Sequence, residues 1–203
     1  MNLEPITDTE LDVLEQEVLT ALTTGDASGL TLLGEGEISL VLAGGEDRSW
    51  ACKRLPPFTD SEAAERYAAT IERYLDVLTE RGIDVVDTTV RSVTGDAGRT
   101  VLYCVQPVLP TGVLGVAVAR RDPELGGRLL ERIVDLVLGS VDERFGLDAQ
   151  LSNWALVDDR AVYLDVTTPL LRDGEGATEL DTDVFLASLP WLLRPAVRRF
   201  VVP

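Results

Sequence analysis

Asp148-Ala-Gln-Leu-Ser-Asn153, with Asp165 twelve residues further on at the end of an apolar run, is the stretch on which the interpretation of this chain depends. Upstream, Leu33-Gly-Glu-Gly-Glu-Ile-Ser39 is typical of a glycine-rich loop that binds phosphate, and Ala51-Cys-Lys53 is typical of the strand lysine that follows such a loop. Each motif alone is weak, because Asp, Asn and Gly are common loop residues. Three motifs in this order are much harder to obtain by chance, and together they predict one site.

The composition excludes several classes of partner. The chain has 203 residues, enough for one or two domains, and its formal net charge is −17. Nucleic acids and anionic membrane surfaces both require clustered Lys and Arg, so we expect neither as a partner. A bound nucleotide would depend on Mg²⁺ and one lysine, since the overall charge repels phosphate.

The chain contains no histidine and two cysteines, Cys52 and Cys104, which lie in apolar runs that resemble strands. The usual zinc sites and histidine-based catalytic triads are therefore excluded. Two buried free thiols are typical of a reducing compartment. The N-terminus lacks the features of a signal peptide and no apolar run reaches membrane-spanning length, so we expect a cytoplasmic protein.

The hydrophobic pattern predicts an α+β fold with five strands, one helix inserted after the third strand, and a mainly helical part that follows. Thr7 begins the first predicted helix, which carries Leu11, Leu14, Val18, Leu19 and Leu22 at helical spacing. The second predicted helix begins at Asp60 or Ser61, ends near residue 81, and buries Ala64, Ala68, Ile71, Leu75 and Leu78.

The remaining predicted elements are two strands around the glycine loop in residues 30–42, strands in 50–55, 84–92 and 99–108, a helix over 123–145, a hairpin of residues 154–157 and 161–166, and an apolar segment over 184–202. Pro107 and Pro110 interrupt regular structure after the fifth strand. We therefore expect an N-terminal helix in residues 1–28, a sheet-rich part in 29–109 and a helical part in 110–203.

With these elements in order, the chain resembles the protein-kinase-like superfamily, and more closely its aminoglycoside and choline phosphotransferase branch than the signalling kinases. It also resembles, nearly throughout, a bacterial family of uncharacterised kinase-like proteins. The stretches that carry this second resemblance are Leu33-Gly-Glu-Gly-Glu-Ile-Ser-Leu-Val41, Ala51-Cys-Lys-Arg-Leu-Pro-Pro-Phe58 and Leu147-Asp-Ala-Gln-Leu-Ser-Asn-Trp154. The kinase resemblance implies a two-lobed fold, with a nucleotide-binding sheet in the N-lobe and a metal-site hairpin in a short C-lobe.

The resemblance implies a nucleotide site in the sheet-rich part. Gly34 and Gly36 match the first two glycines of the phosphate loop, and Ser39 stands where the third glycine is usual. Val41 and Ala51 match residues that pack on the adenine, and Lys53 matches the lysine that contacts the α- and β-phosphates. The residues implied to bind the cofactor are Gly34, Gly36, Ser39, Val41, Ala51, Lys53, Gln106 and Val108.

Two further roles follow from the same resemblance. The helix carboxylate that pairs with Lys53 is Glu72 or, two turns earlier, Glu65, and residue spacing does not choose between them. Gln106 and Val108 match the hinge, where the Gln106 carbonyl and the Val108 amide face the adenine, since Pro107 has no N–H to donate.

The resemblance also implies a kinase-like ATP- and Mg²⁺-dependent phosphotransferase that acts on a small hydroxyl-bearing metabolite or a peptide. Asp148 matches the catalytic base, and Asn153 and Asp165 match the two metal ligands. Gly146 stands where a histidine usually supports the catalytic loop, so the sequence predicts that the orientation of Asp148 is unsupported. The chain also ends soon after the predicted hairpin, which is typical of a fragment or a minimal form. The alternative is a catalytically silent nucleotide-binding or scaffolding module, a pseudokinase.

Overall fold

The computed structural model of the chain describes residues 4–35 and 39–179. Within these residues the chain forms four α-helices and eight β-strands. In chain order they are α1 Asp8–Thr24, β1 Leu32–Glu35, β2 Leu40–Gly44, β3 Trp50–Arg54, α2 Ser61–Glu80, β4 Asp84–Val85, β5 Thr89–Thr94, β6 Thr100–Pro107, α3 Gly115–Arg121, α4 Pro123–Ser140, β7 Trp154–Val157 and β8 Arg160–Tyr163. Gly36 and the predicted apolar segment over residues 184–202 lie outside the described residues.

The larger sheet has five strands in the order β1-β2-β3-β6-β5. β1 pairs antiparallel with β2, β2 with β3, and β5 with β6. The helix α2 enters the chain after β3, as the sequence predicts. The predicted α+β class and the five-stranded antiparallel sheet are therefore confirmed.

The chain divides into two compact units. Among the described residues, the first unit contains residues 4–35, 39–68 and 89–106, and the second contains residues 69–88 and 107–179. α2 passes from the first unit to the second between Ala68 and Ala69. The domain limits at residues 28 and 109 remain a prediction.

In the first unit, α1 packs its apolar stripe against one face of the five-stranded sheet. The helix begins with a capping box, in which Thr7 and Glu10 satisfy each other's backbone amides, and it ends at Gly25, whose φ is 75°. The buried cluster that joins α1 to the sheet contains Leu11, Leu14, Val18, Leu42, Cys52, Val93, Val101, Tyr103 and Val105. Leu22, which the pattern assigned to the buried stripe, is instead 71% exposed.

The helix α2 begins where Asp60 accepts the backbone N–H of Ala63 at 2.7 Å. Its buried residues are Ala63, Ala64, Tyr67, Ile71, Tyr74 and Leu78. The predicted stripe included Ala68 and Leu75, which are only half-buried. The observed buried face is therefore rotated by about one residue from the predicted one, toward Tyr67 and Tyr74. The prediction missed this because a count of apolar residues does not include tyrosine.

The second unit contains a smaller sheet of three strands in the order β4-β8-β7. β4 pairs in parallel with β8, through Asp84 with Val162 and Val85 with Tyr163. The prediction of one strand over residues 84–92 is therefore wrong, since β4 and β5 belong to different sheets. The reason is that a strand of two residues has too few side chains for a periodic pattern to separate it from the next strand.

The predicted helix boundaries in the second unit also need correction. α3 was not predicted, because its first residue, Gly115, follows Leu114, which provides no side-chain cap. α4 ends at Ser140 rather than at residue 145, since Asp142 accepts the amides of Arg144 and Phe145 and turns the chain. In the part of the chain that the structure describes, no helix combines the length and the apolar character needed to cross a membrane.

Candidate functional site

Three residues predicted for the nucleotide site lie in one row across the first unit's sheet. Gly34 of β1 is paired with Val41 of β2, and Val41 is paired with Lys53 of β3. Residues that face each other across antiparallel strands project from the same face of the sheet. The register therefore brings the predicted phosphate loop, the predicted adenine contact and the predicted phosphate lysine onto one face.

The polar residues of this predicted site are buried to an unusual degree. Lys53 is 8% exposed, Ser39 is 7% exposed and Gln106, near the end of β6, is 4% exposed. Ala51 is half-buried and faces Ala43 of β2. A lysine rarely occupies such a position without a functional or structural role, because burial of an ammonium group is costly.

The carboxylate expected to pair with Lys53 remains open. Both Glu65 and Glu72 are exposed on α2, beside its buried face. Glu65 belongs to the first unit and Glu72 to the second. Val108, the predicted hinge amide, lies beyond the end of β6 and is 38% exposed. The pairing and the hinge contacts remain predictions.

Asp148 lies half-buried in the loop that precedes a 3-10 turn at Leu151–Asn153. One of its carboxylate oxygens accepts the Gln150 amide at 2.9 Å, and the other accepts the Gln150 side-chain amide at 3.2 Å. Its backbone carbonyl accepts the indole N–H of Trp154 at 3.2 Å. The side chain is thus held within its own loop, and its backbone is tied to the buried start of β7.

The β7–β8 hairpin places the two predicted metal ligands, Asn153 and Asp165, at neighbouring positions on its open end. Trp154 faces Tyr163, and the next backbone bond runs from the Leu164 amide to the Asn153 carbonyl at 2.9 Å. Asn153 therefore lies opposite Leu164, next to Asp165. One oxygen of Asp165 accepts the Thr167 hydroxyl at 2.7 Å and the Thr167 amide at 3.2 Å.

The donor set at this end of the hairpin suits Mg²⁺. Mg²⁺ prefers oxygen ligands and usually takes only one or two from the protein, with water and phosphate completing its shell. Asn153 and Asp165 would supply one amide oxygen and one carboxylate to such a shell. No group of three or more His, Cys, Asp or Glu side chains that could hold a metal occurs among residues 4–35 and 39–179, so a site at which the protein supplies most ligands has no support there.

The sequence did not predict the part played by two tyrosines beside this site. The Tyr74 hydroxyl donates to the carbonyl of Gly146 at 3.0 Å. Burial raises the pKa of Tyr74, the Tyr163 side chain lowers it in part, and the charges of Asp165 and Asp148 raise it further. Burial also raises the pKa of Tyr163, with Tyr74, Asp165 and Asp148 adding to the effect. Nothing in the sequence distinguishes these two from ordinary core tyrosines.

The expectation that Gly146 leaves the loop of Asp148 unsupported is wrong. The Gly146 amide donates to the Leu170 carbonyl at 2.8 Å, and its carbonyl accepts from Tyr74. A Cβ atom at this position would lie 3.0 Å from the Cβ of Leu170, so the packing favours glycine. The loop is supported through the backbone amide and carbonyl of Gly146, which bind groups on other elements. A comparison of side-chain types at position 146 does not reveal these backbone hydrogen bonds.

A family model described as "Family of unknown function (DUF6206)" matches residues 13–200. The chain belongs to the DUF6206 family. No curated protein matches this DUF6206 chain.

Solved structures similar to this DUF6206 chain include WaaP in complex with acyl carrier protein, with 13% identity and a TM-score of 0.42, over 92% of this chain and 78% of that chain. The MAP kinase LmaMPK10 from Leishmania major shows 14% identity and a TM-score of 0.42, over 90% of this chain and 60% of that chain. Likenesses at this level do not decide an activity.

Proposed function

We propose that this protein is a kinase-like phosphotransferase that uses ATP and Mg²⁺ to phosphorylate a small hydroxyl-bearing metabolite or a peptide. The observation that carries the proposal is the register of the β7–β8 hairpin, which sets Asn153 beside Asp165. Asn153 itself lies only five residues after Asp148 in the chain. A base and two oxygen ligands on one loop and hairpin are what phosphoryl transfer needs, since positioning and charge stabilisation supply most of the catalysis.

The residues take the following roles. The β1–β2 loop and Lys53 hold the phosphates of ATP, and Asn153 and Asp165 hold Mg²⁺, which when bound neutralises negative charge on the phosphates. The acceptor oxygen attacks the γ-phosphorus, the bond to ADP breaks, and Asp148 takes the proton of the acceptor hydroxyl. ADP is the leaving group, so atoms and charge balance without another reactant.

The second candidate is a catalytically silent nucleotide-binding or scaffolding module. It is favoured by the contacts of Asp148, because both carboxylate oxygens are already engaged by Gln150. These hydrogen bonds turn the carboxylate toward its own loop, although each oxygen keeps a lone pair that can accept a substrate proton.

Thermal unfolding with ATP and Mg²⁺, compared with ATP alone and with Mg²⁺ alone, tests the nucleotide site without knowledge of the acceptor. Ligand at about 100 times its Kd stabilises a folded protein by about 2.7 kcal/mol, which is readily measured. We expect the Mg²⁺-dependent increment to disappear in Asp165→Asn and to weaken in Asn153→Ala, because the carboxylate neutralises the ion and the neutral amide does not.

Asp158→Asn is the matched control for Asp165→Asn. Asp158 lies exposed at the other end of the same hairpin with φ of 47°, which Asn tolerates well, so the change removes one charge without strain. We expect this variant to keep the full increment. Equal losses in Asp158→Asn and Asp165→Asn would contradict the metal assignment.

Asp148→Ala separates the two candidate functions. We expect it to keep nucleotide affinity and to lose phosphate transfer across a panel of hydroxyl-bearing acceptors. Nucleotide binding by the wild type without transfer to any acceptor, and without hydrolysis of ATP, would favour the silent module. Absence of any nucleotide-dependent stabilisation would end the phosphotransferase proposal and leave only a scaffolding role.

A further inference from the structure

The carbonyl of Gly146, two residues before Asp148, is held by a side chain from a distant helix. Tyr74 of α2 is fully buried, and its hydroxyl donates to this carbonyl at 3.0 Å. A carbonyl cannot donate, so the single proton of the Tyr74 hydroxyl is committed to Gly146. The hydrogen bond thereby fixes the point at which the chain enters the loop of Asp148.

A second tyrosine extends this contact to the strand that leads to Asp165. Tyr163 of β8 is 1% exposed, and its side chain lies near that of Tyr74, since each tyrosine shifts the pKa of the other. Because the Tyr74 proton is already used, a hydrogen bond between the two hydroxyls requires Tyr163 as its donor. Such a bond would complete a relay from Tyr163 through Tyr74 to the Gly146 carbonyl, and the two ends of this relay each lie two residues from a predicted site carboxylate.

The packing around the relay leaves little freedom. The Trp154 indole and the Tyr163 ring lie 5.0 Å apart, and the same indole donates to the Asp148 carbonyl. The rings of Tyr74 and Phe145 lie 5.6 Å apart. Gly146 itself has little room for a side chain, as the Leu170 contact shows. Bracing of this loop therefore has to come from another element.

We propose that Tyr74 and Tyr163 are positioning residues that hold the loop of Asp148 and the strand end of Asp165 in fixed register. The inference rests on the proposed function insofar as the held loop is catalytic. Neither tyrosine is a catalytic residue, because each acts through the backbone that it holds. α2 thereby controls the catalytic loop through one backbone hydrogen bond.

The test compares Tyr74→Phe and Tyr163→Phe, which remove only a hydroxyl, with Tyr103→Phe. Tyr103 is also fully buried, and its hydroxyl donates one hydrogen bond at 2.7 Å, to Glu15 in the first unit. The readouts are amide hydrogen exchange without ligand, and the kcat and KM for hydrolysis of ATP with Mg²⁺.

In Tyr74→Phe we expect exchange across residues 146–153 to accelerate about tenfold, with residues 100–106 unchanged. Tyr163→Phe should give the same pattern more weakly, and the double variant should be no worse than Tyr74→Phe, since the relay acts as one unit. Tyr103→Phe should leave residues 146–153 unchanged. The kcat should fall about 10- to 100-fold in Tyr74→Phe with little change in KM, because a small misplacement of the base is costly.

Unchanged exchange in residues 146–153 would overturn the inference, as would equal acceleration in every segment, which marks general destabilisation. An active wild type whose kcat survives Tyr74→Phe would also overturn it. A wild type that binds no ATP would end the proposed function, and the exchange comparison would still decide whether the relay holds the loop.

Discussion

A glycine can be present for ligand binding or for packing, and the space around Gly34 helps to distinguish the two reasons. A Cβ atom at Gly34 would meet nothing within 4 Å, whereas one at Gly126 in α4 would lie 2.5 Å from the Cα of Ala119. The fold therefore needs glycine at Gly126 and does not need it at Gly34. Gly34 also follows a β-bulge in β1, where glycine is common, and close approach of the backbone to a ligand is a second reason for a glycine in this strand.

We expect Gly34→Ala to change the free energy of unfolding by less than about 1 kcal/mol and to weaken ATP binding about tenfold, since the new methyl group would stand beside the loop that we propose holds phosphate. Gly126→Ala should do the reverse, with a loss of about 1–3 kcal/mol from overpacking and unchanged ATP affinity in the folded protein. Urea unfolding and calorimetric titration with ATP measure both effects. Wild-type ATP affinity in Gly34→Ala would remove Gly34 from the site.

At the scale of elements, α1 is joined to the sheet by a buried ion pair as well as by apolar packing. Glu15 is fully buried, and its two oxygens accept Nε and Nη2 of Arg54 in β3, each at 2.7 Å, while Tyr103 of β6 donates to one of them. Burial alone would lower the pKa of Arg54, but the hydrogen bonds and charge of Glu15 outweigh it and raise that pKa.

We expect Glu15→Gln to lower the free energy of unfolding by about 3–5 kcal/mol, because it leaves the Arg54 charge buried without its partner. Glu17→Gln, at an exposed position on the same helix, should change it by less than about 0.5 kcal/mol. Adding Arg54→Met to Glu15→Gln should restore part of the loss. Urea unfolding measures all three variants, and a loss in Glu15→Gln no larger than in Glu17→Gln would contradict the structural role.

Local signals explain which elements the sequence predicts correctly. The capping box at Thr7, the cap at Asp60 and the short β7–β8 hairpin each depend on residues close together in the chain, and the hairpin by itself brings Asn153 to Asp165. Glu15 interrupts an apolar stripe, and its partner Arg54 lies 39 residues away, so no local pattern predicts the pair.

The same reasoning separates the predictable part of the site from the rest. The pairing of Val41 with Lys53 follows from strand alternation and a short connection, whereas a β-bulge between Leu32 and Gly34 sets Gly34 opposite Val41 and has no such local signal. The hydrogen bond from Tyr74 to Gly146 spans 72 residues and ends on a backbone carbonyl, which carries no residue-specific signal. The helix carboxylate for Lys53 stays open because helical spacing offers Glu65 and Glu72 equally.

For the molecule as a whole, buried tyrosines make stability sensitive to alkaline pH. Burial raises the pKa values of Tyr74, Tyr103 and Tyr163, and it raises the pKa of the Cys52 thiol to about 12. Tyrosines of the unfolded chain ionise near pH ~10. A tyrosine whose pKa is higher in the folded protein than in the unfolded chain contributes its full stability below the unfolded-chain pKa. This contribution is lost as the pH rises from the unfolded-chain pKa toward the folded-protein pKa.

We therefore expect the free energy of unfolding to fall above pH ~10 by about 1.4 kcal/mol per pH unit for each of the three tyrosines. Tyrosinate absorbance should appear together with unfolding, and Tyr103→Phe should reduce the slope by the share of one tyrosine. Urea unfolding across this pH range measures the slope. Three of the chain's four tyrosines ionising gradually in the folded protein would contradict this account.

The parallel pairing of β4 with β8 has a consequence for how the chain is made. Asp84 leaves the ribosome about 78 residues before Val162, the strand residue that it faces. A parallel pair closed over so long a segment forms late, because the entropy of loop closure has to be met before any contact compensates for it. The three-stranded sheet therefore cannot assemble until β8 has emerged. Pausing of translation between β4 and β8 should leave a nascent chain with the helix of residues 61–80 in place and the segment after it unpaired, open to chaperones and proteases.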